Sequence, residues 1–300
     1  MTSPFQIHQI QSKMEQGLNM KDEEKLYKWN GILYPTIMSP PENLDAMKNM
    51  EAREEDIMLM AYPKCGFNWI VAVIRKIMSV SAGLTVPNRP PLIEFWSPDV
   101  QQTVAESPSR RLLGSHMCPD NIPASFTTKK TKILVVFRNP KDTAVSYYHF
   151  MNKNPVLPKV ESWDKFFSNY INGEVPWGSY FGHALAWEKR MDDPNVMVVT
   201  FEELKENLPE GIRKVADFFS FPLTDEQVKN IAEESTFSAM VESSKTSHGP
   251  FSKVIFRKGE VGDWRNHFSE AQSKQMDEEF KKKLAGTKLG AKLKYNQYCQ

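Results

Sequence analysis

The chain has 300 residues, and its 38 basic and 37 acidic side chains leave a formal net charge of +1. A balance this close gives no general attraction for nucleic acid or for an anionic membrane surface, so neither is expected as a partner, although a local basic pocket is still permitted. The three cysteines are odd in number and widely spaced, which suits a reducing compartment better than a disulfide framework.

Other features of the chain favour a soluble protein of the cytosol. The first residues lack the basic start and apolar core of a signal peptide. No apolar run approaches the ~18–20 residues needed to cross a bilayer, since the best candidate, Trp69–Val80, is broken by two basic residues. Because no Gly/Ser-rich linker interrupts the sequence, we expect a single domain over residues 31–300, preceded by an N-terminal arm and short helix in residues 1–30.

The first predicted elements carry no chemistry of their own. A weakly amphipathic stretch over Lys21–Trp29 predicts the short helix that follows the arm. Gly31–Pro35 is typical of an edge strand closed by proline, and Pro40–Asn43 has the features of a helix start. Three apolar side chains of this helix are expected to pack inward, namely Leu44, Met47 and Met50.

The next stretch, Asp56–Ile70, contains the strongest functional signal that the residues alone provide. Ile57–Ala61 is a short apolar run typical of a strand covered on both faces, and a helical pattern begins near Ile70. Between them, Gly66 permits close backbone approach and Lys64 adds an ammonium near the helix N-terminus. The arrangement favours a phosphate or sulfate ligand, but a plain structural turn is an equal alternative because the order of an ordinary phosphate loop is missing.

Three more strands are predicted downstream. Arg111–His116 would end in a histidine, Lys132–Phe137 is a buried run, and Val196–Phe201 is another. Asn139 and Pro140 supply the N-cap and first-turn residues of a helix after Lys132–Phe137. Because ligands collect at the carboxyl ends of parallel strands, the residues after these strands are candidates for one site.

The segments between the strands are rich in proline and aromatic residues. Pro87–Pro98 holds four prolines, so it is expected to be a surface loop rather than a central strand or a helix interior. Trp163–Arg190 has a helical, aromatic-rich pattern interrupted near Gly173. Ser243–Pro250 is expected to be mobile enough to act as a lid.

Three segments resemble, in family order, motifs of the cytosolic sulfotransferases. Tyr62–Trp69 is similar to the family's Tyr-Pro-Lys-Ser-Gly-Thr-Thr-Trp loop, Phe137–Phe150 to its second motif, and Arg257–Trp264 to its C-terminal motif. With the segments between them, the resemblance covers the chain from about Gly31 to Tyr295. The cysteine in the first loop and the ending Leu-Gly-Ala-Lys-Leu-Lys-Tyr look most like the vertebrate 6B branch, for which thyroxine is the implied acceptor.

This resemblance implies an α/β fold and a reaction. The expected fold is a single domain with a central parallel β-sheet flanked by helices, the P-loop-like sulfotransferase fold. The implied enzyme transfers the sulfuryl group of 3′-phosphoadenosine 5′-phosphosulfate (PAPS) to a small-molecule hydroxyl, phenolic for this branch, releases 3′-phosphoadenosine 5′-phosphate (PAP) and needs no metal. His116 matches the family's general base, and Lys64 matches the group that stabilises the departing phosphate. Sulfate conjugation in lipid and xenobiotic metabolism is the implied setting.

The resemblance also implies a set of nucleotide-binding residues. The first loop would hold the 5′-phosphate end, Arg138 and Ser146 the 3′-phosphate, and the C-terminal motif would close over that phosphate. Aromatic and hydroxyl side chains would frame the adenine. The full set implied is Lys64, Cys65, Gly66, Phe67, Asn68, Trp69, Arg138, Ser146, Phe201, Ser235, Phe237, Met240, Arg257, Lys258 and Gly259.

The sequence departs from the family pattern at several positions. Phe67 and Asn68 replace threonines that would donate to the 5′-phosphate, and since Phe67 cannot donate, we expect looser donor binding or slower turnover. Gly114 stands where the family has a lysine, and Phe201 where it usually has a tyrosine. The dimer motif is poorly matched at Arg265–Lys274, so a monomer and a homodimer both stay open.

Two other function classes stay open on the sequence. The departures at Phe67 and Gly114 would suit a weakly active or non-catalytic protein of the same fold that binds a nucleotide or hydrophobic ligands. A P-loop kinase is the other alternative. It would need a glycine-lysine-serine/threonine loop and a magnesium-binding acidic residue after a strand, and no convincing pair is found.

Overall fold

A sheet of parallel strands forms the centre of the computed structural model, which describes residues 4–85, 87, 89–248 and 252–300. A separate antiparallel hairpin consists of β1 (Leu26–Trp29) and β2 (Ile32–Pro35). The central sheet consists of β3 (Ile57–Ala61), β4 (Leu112–Ser115), β5 (Lys132–Phe137) and β6 (Val196–Thr200), in the spatial order β4-β3-β5-β6 with every neighbouring pair parallel. The predicted fold class is therefore confirmed.

Helices connect the strands and pack around the sheet. They are α1 (Pro4–Asn19), α2 (Pro41–Met47), α3 (Phe67–Ala82), α4 (Pro98–Glu106), α5 (Ser125–Thr128), α6 (Pro140–Lys153), α7 (Trp163–Asn172), α8 (Tyr180–Glu188), α9 (Phe201–Glu206), α10 (Leu208–Phe218), α11 (Asp225–Glu234), α12 (Phe237–His248), α13 (Ser252–Ile255), α14 (Glu270–Lys283), α15 (Lys288–Lys292) and α16 (Tyr295–Tyr298). In the described part of the chain, none of the helices combines the length and the apolar character needed to span a bilayer.

The register of the sheet brings the carboxyl ends of its strands to one edge. Ala61 of β3 is level with Val136 of β5, and Phe137 is level with Thr200 of β6. Ser115, the last residue of β4, pairs one residue before the end of β3. The loops that follow these strands therefore meet along one edge, where open α/β sheets bind ligands.

Capping side chains fix the turns from strand to helix at this edge. Asn139 caps α6 as the sequence predicts, and its side-chain oxygen accepts a hydrogen bond from the Asp142 N–H at 2.9 Å. Thr200 caps α9 in a capping box with Glu203. The predicted strand Val196–Phe201 consequently ends one residue early, and Phe201 begins the helix.

Buried tyrosines hold the backbone of two loops at the same edge. The Tyr62 hydroxyl donates to the Gly178 carbonyl at 2.8 Å, and the Tyr180 hydroxyl donates to the Arg138 carbonyl at 2.7 Å. The two rings meet edge to face with centroids 5.4 Å apart. One aromatic cluster therefore sets the relative position of the loops after β3 and β5.

The N-terminal residues differ from the sequence-based prediction. Pro4–Asn19 is a helix rather than a loose arm, and the predicted helix over Lys21–Trp29 is a 3-10 turn followed by β1. Asn30 and Gly31, with φ of 49° and 78°, form the turn between β1 and β2. An Asn-Gly pair is a strong hairpin signal, and it prevails over the weak helical pattern before it. The hairpin crosses the predicted boundary between residues 30 and 31.

Two predicted loop segments can also be compared with the structure. Pro87–Pro98 contains a 3-10 turn at Ile93–Phe95, with Leu92 and Trp96 buried, while its residue 88 lies outside the described residues. Ser243–Pro250, predicted to be a lid, is helical as far as the end of α12 at His248. Residues 249 and 250 of that segment lie outside the described residues.

Candidate active site

A pocket opens along the sheet edge at which β3, β4, β5 and β6 end. It contains both residues predicted to be catalytic and most of those predicted to bind the nucleotide. The predicted residues that line it are Lys64, Gly66, Phe67, Asn68, Trp69, His116, Arg138, Ser146, Phe201, Phe237, Met240, Arg257, Lys258 and Gly259. Cys65 and Ser235 are not part of the lining.

The loop between β3 and α3 has the backbone of an anion-binding turn. Lys64 adopts φ 70° and Gly66, the N-cap of α3, adopts φ 105°. A Cβ at position 66 would lie 3.0 Å from the Phe201 ring, so both the conformation and the space favour glycine there. The first N–H groups of α3 and the positive end of its dipole consequently face the pocket.

Cys65 belongs to this loop but faces the interior. Its Sγ lies 3.7 Å from the Thr143 hydroxyl, and its N–H donates to the Tyr62 carbonyl at 3.2 Å. Burial raises the pKa of the thiol to about 12. Neither group supports the predicted contact of Cys65 with the nucleotide, because both are engaged away from the pocket.

Lys64 extends from the loop into the pocket among other cations. Its Nζ lies 3.4 Å from the Ile255 carbonyl oxygen and 4.1 Å from the centre of the Phe150 ring. Burial, followed by the charges of Arg138 and Arg257, lowers the pKa of Lys64 to about 7. An ammonium surrounded by like charge is stabilised by an anion, so the pocket is electrostatically prepared for one.

Arg138 follows β5 directly and spans the same edge. Its Nη2 donates to the Glu260 carbonyl at 2.7 Å, and its guanidinium lies 4.5 Å from the centre of the Phe201 ring. The buried Nε has no hydrogen-bond partner among the described residues. Ser146 lies eight residues further along α6 and also lines the pocket.

The segment after α13 adds two more cations that share one carboxylate. Arg257 Nη2 lies 2.5 Å and Lys258 Nζ 2.6 Å from the two oxygens of Asp263. Burial alone would raise the pKa of Asp263, but hydrogen bonds from Lys258, Asn266 and Arg257 outweigh it and hold that pKa well below its usual range. Asp263 therefore holds both cations at the pocket, while Glu260 brings the formal charge of residues 256–263 to zero.

Aromatic side chains line the pocket beside these cations. The Trp69 and Phe201 rings meet at 5.2 Å and 67°, and the Trp69 indole N–H donates to the Ser235 carbonyl at 2.7 Å. A Cβ at Gly259 would lie only 2.2 Å from the Phe237 ring, so the glycine lets the backbone pass this ring. Ser235 itself is buried behind Trp69, and its hydroxyl has no partner among the described residues.

His116 stands at the end of β4 with its ring orientation fixed. Its Nδ1 lies 2.8 Å from the Ala61 carbonyl oxygen, which can only accept, so Nδ1 carries the proton and Nε2 keeps a free lone pair. Its backbone N–H donates to the buried Glu94 carboxylate at 2.8 Å, and burial raises the pKa of Glu94 to about 7. Burial lowers the pKa of His116 to about 4, so the imidazole is neutral at pH 7.

The departures at positions 67 and 114 are physically linked. A Cβ at Gly114 would lie 2.6 Å from Cζ of the Phe67 ring and 3.0 Å from the Leu59 carbonyl oxygen. The ring of Phe67 therefore occupies the space over Gly114 that a side chain on β4 would need. It also packs against His116, with ring centroids 4.8 Å apart. Phe67 thus becomes a wall of the site beside the base.

The pocket continues past His116 into an apolar region that the motifs did not indicate. The ring centroids of Trp177 and His116 are 5.5 Å apart, and those of Phe95 and Trp177 are 6.1 Å apart. Further lining residues are Lys13, Met14, Pro35, Met38, Phe150, Asn154, Val156, Leu157, Lys205, Ile255 and Phe256. Phe150 closes the second motif and Pro35 the predicted edge strand, but most of the others come from separate elements without a common sequence pattern, which is why sequence reasoning missed them.

Metal ligands form no cluster in this part of the molecule. Over residues 4–85, 87, 89–248 and 252–300, no group of three or more histidine, cysteine, aspartate or glutamate side chains is arranged to hold a metal ion. The expectation of a reaction without metal stays a prediction.

Comparison with known proteins agrees with the geometry. Residues 54–288 match the model of the sulfotransferase domain. The chain is 66% identical over 296 residues to Sulfotransferase 6B1 of Danio rerio, covering 98% of this chain and 100% of that protein, and 44% identical over 295 residues to the Homo sapiens protein of the same name, covering 98% and 97%.

A solved structure gives the same result. The crystal structure of mouse sulfotransferase SULT7A1 complexed with PAP matches with a TM-score of 0.83 and 34% identity, covering 91% of this chain and 100% of that one. The predicted resemblance is confirmed by both kinds of comparison. On the domain match, the near full-length identity to the 6B1 proteins and the shared fold, this chain belongs to the sulfotransferase family.

Proposed function

We propose that this sulfotransferase moves the sulfuryl group of PAPS to the hydroxyl of a small phenolic acceptor such as thyroxine and releases PAP. The observation that carries the proposal is that an imidazole with a free Nε2 and a set of cations line one pocket, although they come from the ends of different strands. His116 follows β4, Lys64 follows β3, and Arg138 follows β5.

The residues present fit an adenine nucleotide with two anionic ends. Arg138 and Arg257 each have a buried Nε without a partner among the described residues, and burial together with the like charges of Arg138 and Arg257 lowers the pKa of Lys64 to about 7. A bound anion that accepts hydrogen bonds pairs with the arginine N–H groups and stabilises the charged form of Lys64. Trp69 and Phe237 both line the pocket and offer aromatic surface for a purine. The related mouse enzyme was solved with PAP.

When bound, PAPS supplies the sulfuryl group and the phosphosulfate bond that breaks during transfer. His116 Nε2 accepts the proton of the acceptor hydroxyl while the Nδ1–H stays on the Ala61 carbonyl, so the ring does not turn during the reaction. A phenol with a pKa of about 10 is mostly protonated at neutral pH, which is why its oxygen needs this base. The negative charge of the bound nucleotide raises the proton affinity of the His116 imidazole above its value in the free protein.

Lys64 and the first N–H groups of α3 stabilise the charge that develops on the leaving phosphate. One well-placed donor of this kind lowers the activation barrier by on the order of 3–4 kcal/mol. Phe67 cannot donate at its position, and Asn68 offers its amide instead. We therefore keep the expectation of looser donor binding or slower turnover than a threonine-bearing loop would give.

The acceptor class follows from the apolar region beyond His116. Phe95, Trp177 and Phe150 line it with aromatic surface, which suits a flat phenol better than a sugar or a short alcohol. Thyroxine comes from the likeness to the 6B branch rather than from a contact in the pocket. On the same likeness we place the reaction in the cytosol, in sulfate conjugation of lipids and xenobiotics, with a monomer and a homodimer both open.

Transfer of labelled sulfate from PAPS to a panel of phenols that includes thyroxine tests the proposal. We expect product with the wild-type chain, a large loss with His116→Ala, and no competition by ATP for the PAP site. Binding of PAP without transfer to any phenol would favour a non-catalytic nucleotide-binding protein. Clear transfer to simple phenols but none to thyroxine would remove thyroxine and leave the reaction in place.

A further inference from the structure

The N-terminal helix α1 forms one wall of the apolar end of the pocket. A Cβ at Gly17 would lie 2.7 Å from the Pro155 carbonyl oxygen, so α1 packs backbone to backbone on the segment that follows α6. Lys13 precedes Gly17 by four residues and therefore lies on the same face of α1. Lys13 and Met14 both line the pocket, together with Val156 of that segment.

This wall lies far from Arg138, which would hold the 3′-phosphate of the nucleotide. Arg138 stands at the N-terminal end of α6, and Pro155 follows its C-terminal end. A helix of 14 residues is about 21 Å long, since each residue adds about 1.5 Å. Lys13 consequently belongs to the acceptor end of the pocket rather than to the nucleotide end.

Lys13 is partly buried where it lines the pocket. No salt bridge to Lys13 occurs among the described residues, and burial lowers its pKa. The lining that comes from the segment after α6 is apolar except for Asn154, whose Oδ1 accepts the Val156 N–H at 3.3 Å, so that its NH₂ group remains available as a donor. A partly buried cation beside a neutral donor and apolar side chains is a suitable partner for an anionic group of a ligand.

We infer that the acceptor carries a carboxylate that pairs with Lys13 at the far end of the pocket while its hydroxyl meets His116. The inference rests on the proposed function and narrows the acceptor from phenols in general to hydroxyaryl carboxylates. Phenols without the acid group remain substrates but bind more weakly, because they leave the Lys13 ammonium partly desolvated and unpaired.

The test uses a series of 4-hydroxyphenylalkanoates of increasing chain length and their methyl esters as acceptors for the full chain. In the wild type, we expect the KM of at least one acid to be about tenfold or more below that of its ester, the size of one charge-assisted hydrogen bond. Lys13→Met should raise the KM of the acid to that of its ester while kcat stays the same. Lys13→Glu should make the KM of the acid higher than that of the ester. Lys28→Met, a change of an exposed lysine outside the pocket, is the matched control and should keep the wild-type difference in KM.

The possible outcomes separate this inference from the function on which it rests. Equal KM values for acid and ester throughout the series in the wild type, or an acid preference that survives Lys13→Met, would overturn the carboxylate pairing alone. Transfer to neither acids nor esters would overturn the proposed function and the pairing with it. Intact folding of each variant is checked by its thermal unfolding midpoint, which a single side-chain change at the pocket wall should leave within a few degrees of the wild type.

Discussion

The two ends of the pocket are built in different ways. The nucleotide end consists of residues that directly follow strands of one sheet, so Lys64 and Arg138 are placed by hydrogen-bonded register and by capped helix starts. The acceptor end consists of α1, the hairpin and the loop after α6, which contact one another only in the folded chain, for example through Gly17 and Pro155. Local backbone rules fix the first end, and tertiary packing alone fixes the second.

His116 lies at the junction of the two ends, and its replacement should have the largest effect. His116→Ala removes the proton acceptor, so we expect kcat to fall by about 10²–10⁴, the usual contribution of a general base. Affinity for PAP, measured by calorimetry, should change less than threefold because the nucleotide end is intact. A variant that retains more than a tenth of the wild-type kcat would show that the base is another group.

The nucleotide end should respond to pH through Lys64. The pKa of Lys64 in the free protein is lowered to about 7, and an anion stabilises only the ammonium form. Affinity for PAP should therefore fall as pH rises from 7 to 9, by at most about tenfold per unit. The nucleotide phosphates keep a constant charge over this range, since their second pKa is about 6.

Lys64→Met provides the control for this dependence. The variant should bind PAP more weakly at pH 7 and show a flat profile up to pH 9, because no group titrates in its place. An equally steep profile in Lys64→Met would assign the dependence to another residue. A flat profile in the wild type would mean that Lys64 stays charged in the free protein.

Substitutions at Phe67 and Gly114 should have smaller effects, and their effects on the free energy of unfolding should not be additive. Gly114→Ala places a methyl group 2.6 Å from the Phe67 ring, so it should lower the free energy of unfolding by about 1–3 kcal/mol, as overpacking does. In a Phe67→Thr background the same change should cost less than half as much. Chemical denaturation of the four proteins gives the coupling, and additive effects would show that the two departures are independent.

Phe67→Thr by itself provides a second readout at the nucleotide end. The hydroxyl that it introduces can donate to the 5′-phosphate, so we expect tighter PAP binding than in the wild type. Unchanged or weaker PAP affinity in calorimetry would tell against our account of the loop.

Sequence reasoning succeeded where short-range rules decide the structure. The apolar runs of β3 and β5 are buried as expected, and Asn139 caps α6. The hairpin is not predicted, although Asn30 and Gly31 carry its turn signal, because the weakly amphipathic pattern of Lys21–Trp29 favours a helix. No comparable signal exists for Lys13, since a lysine on an amphipathic helix is ordinarily solvated, and its place in the pocket depends on the contact of a different residue with a distant loop.

Calorimetric titration of PAP into the wild type, Arg138→Met and Arg257→Met tests the central claim most directly. We predict one PAP per chain, with an affinity that falls about 10–100-fold in each variant, as expected when a hydrogen-bonded charge is lost. The two arginines come from separate parts of the chain, so equal sensitivity means that one nucleotide contacts both. Failure of the wild type to bind PAP, or binding that neither replacement weakens, would contradict the account.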